Sequence, residues 1–79
     1  MDMDDYLDKI KTMDKDELKE ELELLEESLE DIQIERRLIL GQTGVHINVG
    51  KIEAYRNSFD REISNLEKKI GYVKEALQS

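Results

Sequence analysis

The residue types that carry out catalysis are scarce in this chain. Its single histidine, His46, has no recognisable serine motif around it, and the chain contains no cysteine to act as a nucleophile or thiolate ligand. A nucleophile, its base and an orienting group would have to come together from scattered positions. The sequence therefore predicts a protein that is not an enzyme.

Two further patterns fall short of a ligand site. Residues 44–51 resemble a phosphate-binding loop, but five residues rather than four separate the two glycines, and Ile52 stands where the motif has Ser or Thr. Adjacent carboxylates such as Glu20 and Glu21 could bind a divalent cation, yet residues 2–5 lack the ligand spacing of a calcium loop. We expect no cofactor and no metal.

Acidic side chains give the strongest surface signal. The chain carries 20 Asp and Glu against 12 Lys and Arg, and its net charge of −8 divides into −11 over residues 1–35 and +3 over residues 36–79. This balance disfavours direct contact with nucleic acid or with an anionic membrane. Six carboxylates form an acidic strip along the first long helix, namely Glu20, Glu23, Glu26, Glu27, Glu30 and Asp31. The strip suits docking to a basic protein or imitation of a nucleic-acid backbone, although a solvated helix face has the same composition.

Heptad spacing of apolar residues predicts the helix that carries the strip. The apolar positions are Leu18, Leu22, Leu25, Leu29, Ile32 and Ile39. Asp14 is the predicted N-cap, and Glu17 follows at the capping-box distance. Met13 and Leu18 are placed to form a hydrophobic staple across this helix start.

A second heptad run predicts a second long helix. Its apolar positions are Ile52, Phe59, Ile63, Leu66, Ile70, Val73 and Leu77. The core positions of each heptad run form a seam along the helix. In each seam one core position is occupied by an arginine, Arg36 in the first run and Arg56 in the second. An antiparallel hairpin brings both seam arginines to the loop end. There the guanidinium groups reach water or pair with Glu35, Glu53 or Asp60, or another chain completes this end of the hairpin.

The loop between the two helices is predicted at residues 41–50, and Gly41 is the expected C-cap of the first helix. In this segment apolar and polar residues alternate through Val45, His46, Ile47, Asn48 and Val49. The alternation is typical of a short extended segment, which either binds a partner or folds back over the hairpin.

A short additional helix is predicted at residues 2–13. It either packs across the open end of the hairpin or anchors another protein.

The predicted fold class is all-α, an antiparallel two-helix coiled-coil hairpin with a short N-terminal helix. We expect a single domain over residues 1–79, with helices at 2–13, 14–40 and 51–78. Such a hairpin cannot bury every off-seam apolar residue near the loop, so we expect a homodimer of four-helix-bundle type. The expected partner interface consists of Ile34, Leu38, Leu40, Val45, His46, Ile47 and Val49.

The layout of a helix, a glycine-containing loop and a second helix, with Phe59 and Asp60 early in the second helix, resembles that of the small hairpin phosphatases of sporulating bacteria. Those proteins act on the aspartyl phosphates of response regulators. Arg56 stands where that family's motif has a serine, and the loop is longer here. The resemblance assigns no catalytic residue here; the phosphatase alternative predicts that Asp60→Ala abolishes a dephosphorylation activity.

We expect a non-catalytic interaction protein, regulatory or involved in assembly, that acts through its helical hairpin on a partner with a basic surface. The first alternative is an acidic nucleic-acid mimic that inhibits a DNA- or RNA-binding protein, of a kind that phages or mobile elements encode. The second alternative is the hairpin phosphatase.

No apolar run reaches the roughly 18 residues of a membrane span, and the N-terminus is acidic where a signal peptide is basic. The expected location is the cytoplasm.

Overall fold

The computed structural model describes residues 3–41 and 49–78, without the side chain of Val49. These residues form three helices and no strands: α1 (Met3–Lys11), α2 (Lys15–Leu40) and α3 (Val49–Gln78). The all-α prediction is confirmed for this part of the chain. α3 begins at Val49, two residues earlier than the spacing predicts. Residues 42–48 of the predicted loop, with Val45, His46 and Ile47, lie outside the described residues.

α2 begins at the predicted capping box. The Glu17 backbone N–H donates to Asp14 Oδ1 at 2.8 Å, and the Asp14 N–H reaches Glu17 Oε1 at 3.5 Å. Asp14 itself has extended backbone angles, which is the usual conformation of an N-cap residue. Two N–H groups that the helix start would leave unpaired are thereby satisfied.

α2 and α3 pack against each other along most of their lengths. At one end, Arg36 near the end of α2 pairs with Asp60 early in α3. At the other end, Leu18 and Val73 belong to one buried core. The two helices therefore run antiparallel, in agreement with the predicted hairpin. The described chain is elongated, with extents of 49 × 21 × 15 Å.

α1 closes the end of the hairpin opposite the loop. Tyr6 and Ile10 are buried and join the core formed by the start of α2 and the end of α3. The Lys9 ammonium lies 3.9 Å from Glu21 of α2, and the Lys69 ammonium of α3 lies 5.0 Å from the centre of the Tyr6 ring. Of the two sequence-based alternatives for this segment, the structure has the helix packed across the open end.

The core is concentrated at this three-helix end. Val73 is completely buried there, with the half-buried Leu22, Leu66 and Leu77 packed around the same cluster. Towards the loop, α2 and α3 are the helices that the described residues form, and Ile32 and Phe59 are their buried apolar residues. Among the described residues, no helix has the length and apolarity to cross a membrane.

Candidate partner-binding surface

Three large apolar side chains are exposed on the side of α2 that faces away from α3. Leu24 is 60 % exposed, Ile34 43 % and Leu38 63 %. At about 100° per residue these positions fall within an arc of roughly 80°, on the opposite side of the helix from buried Leu18 and Leu25. They are outside the seam that packs on α3, which is why the hairpin leaves them in solvent.

The acidic strip overlaps this side of α2: five of its six carboxylates lie on or next to it, whereas Glu26 lies about 120° around the helix from Leu38. All six of its carboxylates are exposed. Three of them, Glu20, Glu23 and Glu27, line a shallow surface depression together with Leu24. We use the name outer α2 face for the surface formed by Glu20, Glu23, Leu24, Glu27, Glu30, Asp31, Ile34 and Leu38.

The expected interface residues fall on more than one surface. Ile34 and Leu38 are exposed on the outer α2 face, whereas Leu40 is half-buried and lines a depression between the end of α2 and the start of α3. Leu40 lies about 160° around the helix from Leu38. Tyr55, in the first turns of α3, is 45 % exposed near this same loop end. The outer α2 face and the loop end are therefore distinct candidate contacts.

The two seam arginines have different surroundings. Arg36 is half-buried, and its Nη2 lies 3.4 Å from Asp60 Oδ1, which is one of the pairings that the sequence leaves open. Its Nε atom is buried, with no hydrogen-bond partner among the described residues. Arg56 is exposed. Because both members of the Arg36–Asp60 pair are substantially exposed, the pair contributes at most about 1 kcal/mol.

The most perturbed titratable group is Tyr6, which the sequence does not single out as a special position. Its hydroxyl is buried with no hydrogen-bond partner in the described part of the chain. Burial, followed by the nearby negative charge of Glu21, raises the pKa of Tyr6 to about 12. The apolar stripe of residues 2–13 predicts that Tyr6 lies beside the packed face. It does not predict that the hydroxyl stays unpaired, because that depends on which polar atoms of α2 and α3 are within reach.

A groove runs between α1, the start of α2 and the end of α3. Its walls combine apolar Leu7, Ile10 and Leu18 with ring and methyl groups from Tyr72 and Ala76. Charged residues of both signs form its rim, including Lys11 and Glu75. The groove is a surface cleft left where the short α1 meets the longer helices.

Comparison with known proteins yields no relative. No family model, curated protein or solved structure matches the chain. Within the described residues, no group of three or more His, Cys, Asp or Glu side chains is placed to hold a metal ion. The resemblance to hairpin phosphatases stays a prediction, and its key residue Asp60 is the one that pairs with Arg36.

Proposed function

We propose that this protein is a non-catalytic interaction protein that binds another protein through its helical hairpin. The observation that supports the proposal is the exposure of Leu24, Ile34 and Leu38 on one side of α2. Single exposed apolar residues are ordinary, but several on one helix face are typical of surfaces that a partner covers. The surrounding carboxylates favour a partner with a basic surface.

Self-association at the loop end is the second part of the proposal. Tyr55 is exposed there and Leu40 is half-buried. Residues 33–41 and 49–63 carry five basic and four acidic side chains, whereas residues 15–31 carry nine acidic and two basic ones. Two copies of a chain with a net charge of −8 meet least repulsion where the charge is balanced, so a homodimer is most favourable at this end.

Imitation of a nucleic-acid backbone is the alternative that the exposed acidic strip favours. Its six carboxylates occupy residues 20–31, about 18 Å of helix, or one charge per ~3 Å. Duplex DNA carries one charge per ~1.7 Å, so the strip has roughly half that density. A nucleic-acid backbone also has no counterpart to Leu24, Ile34 and Leu38. We therefore rank a protein-docking surface above a mimic.

Site-specific photo-cross-linking in cells of the native host tests both contacts. A photoreactive residue would replace Glu27 on the outer α2 face, Tyr55 at the loop end, or exposed Ser64 on α3 as the control. We expect an adduct with a different protein from position 27 and an adduct of twice the 9.3 kDa chain mass from position 55. Position 64 should give neither.

The pattern of adducts separates the possible results. Absence of adducts at positions 27 and 55, or equal adducts at all three positions, would contradict the proposed function. If the partner captured at position 27 binds DNA or RNA and added nucleic acid displaces it, the mimic is the better account.

A further inference from the structure

The outer α2 face alternates apolar and acidic positions in a definite order along the helix. Leu24 lies near one end, Ile34 and Leu38 lie at the other, and Glu27 and Asp31 stand between them. From Leu24 to Ile34 the helix rises about 15 Å. A partner that matches this order needs two apolar contacts about that far apart, with positive charge between them.

A second copy of the chain does not match this order. Two outer α2 faces brought together would set five carboxylates of one copy against five of the other, with no basic residue on either face to offset them. An anionic membrane and a nucleic acid are repelled for the same reason. The occupant that the charges favour is a positively charged segment of a different protein.

The shape of the face favours a helical segment. Its residues follow a straight stripe at spacings of three and four, from Glu20 to Leu38, which is about 27 Å long. A helix lying alongside presents its own side chains at the same periodicity, so that apolar and charged rows coincide along the whole stripe. An extended strand, with its period of two residues, would match only part of it.

We propose that the outer α2 face binds a basic amphipathic helix, in which apolar residues about ten positions apart flank a row of Lys or Arg. This inference rests on the proposed function and names the chemistry of its partner. In the complex, the apolar side chains cover Leu24, Ile34 and Leu38 while the basic row pairs with Glu27 and Asp31. Binding is salt-sensitive because it pairs basic side chains with Glu27 and Asp31, which are exposed in the free chain and screened by salt.

Fluorescence anisotropy with a defined peptide tests this partner chemistry on the full chain. The probe is a labelled 18-residue peptide of Leu, Lys and Ala, with leucines in two groups about ten positions apart and lysines between them. A scrambled peptide of the same composition is the control. We expect the ordered peptide to bind about tenfold or more tightly than the scrambled one in low salt, and less tightly as salt increases.

Two sets of variants separate apolar contact from charge. Leu24→Ser/Ile34→Ser/Leu38→Ser and Glu27→Lys/Glu30→Lys/Asp31→Lys should each weaken binding of the ordered peptide about tenfold or more. All six positions are exposed, so the fold should persist, which circular dichroism can check. Glu53→Lys/Glu62→Lys/Glu67→Lys makes the same charge change on exposed positions of α3 and should weaken binding less than about threefold.

Three results would overturn the inference. Equal binding of the ordered and scrambled peptides would mean that only net charge matters. An equal loss with the α3 variant would mean that the outer α2 face has no special role. An adduct of twice the chain mass from position 27 would show that a second copy occupies the face. In any of these cases, a foreign protein cross-linked elsewhere on the hairpin would leave the proposed function standing.

Discussion

At the scale of single residues, Tyr6 shows the largest effect of the fold on a side chain. The ring contributes to the core between all three helices and lies under the Lys69 ammonium, which is a favourable arrangement. The hydroxyl is buried without a hydrogen-bond partner in the described residues, and this costs free energy that the ring's burial must offset. Tyr6 therefore both stabilises the packing of α1 and makes it sensitive to alkaline pH.

Replacing Tyr6 by phenylalanine should remove that sensitivity. The folded-state pKa of about 12 lies above the ordinary value of 10, so the contribution of the protonated phenol is complete below pH 10 and is lost as pH rises towards 12. At pH 11, between the two pKa values, the loss is on the order of 1 kcal/mol. Urea unfolding should show Tyr6→Phe equal to the wild type or up to about 1 kcal/mol more stable at pH 7, with a larger advantage at pH 11.

Tyr55→Phe, measured at a protein concentration at which the chain is monomeric, is the matched control because Tyr55 is exposed and its proposed contact with a second copy is then absent. It should change the free energy of unfolding by less than about 0.5 kcal/mol at both pH values. A Tyr6→Phe protein that loses stability between pH 7 and pH 11 as steeply as the wild type would contradict the assigned environment of this hydroxyl.

At the scale of the elements, the sequence predicts most of what the structure contains. Heptad spacing places α2 and α3, and Asp14 with Glu17 marks the start of α2 because a capping box is a local signal. What the sequence leaves open depends on contacts between elements. Whether residues 2–13 pack on the hairpin, and which of several carboxylates pairs with Arg36, are determined by the relative positions of the three helices. Periodicity along one helix does not carry that information.

Gly41 and Gly71 should respond in opposite ways to substitution by alanine. At Gly41, the C-cap of α2, an added Cβ would lie 2.5 Å from the Arg37 carbonyl oxygen, so backbone must shift. We expect Gly41→Ala to lower the free energy of unfolding by about 1–3 kcal/mol. At Gly71, inside α3, an added Cβ meets nothing within 4 Å, and Gly71→Ala should raise stability by about 0.5–1 kcal/mol.

Thermal or urea unfolding of the two alanine variants measures both effects. Because each variant adds one methyl group to the same protein, each serves as the control for the other. Stabilisation by Gly41→Ala would contradict the close contact at the end of α2.

At the scale of the whole molecule, the chain divides into a packed end and a sparsely packed end. Three helices enclose the core at the end closed by α1, whereas two helices alone continue to the loop. Sequence patterning identifies the apolar residues that remain exposed but groups Ile34, Leu38 and Leu40 as one patch. The structure separates them because their side chains leave α2 in different directions. The outer α2 face thus emerges as a surface of its own, in which the acidic strip and the exposed apolar residues coincide.

The central claim is that this hairpin functions by binding another protein through the outer α2 face. Affinity capture from the native host, read by quantitative mass spectrometry, tests it most directly when three forms of the chain are compared. These are the wild type, Ile34→Lys/Leu38→Lys, and Asn57→Lys/Ser64→Lys, which adds the same charge at exposed positions of α3. We expect at least one protein that the wild type and the α3 variant both retain and that Ile34→Lys/Leu38→Lys retains about tenfold or more weakly. Equal retention by all three forms, or no protein enriched by the wild type, would contradict the central claim.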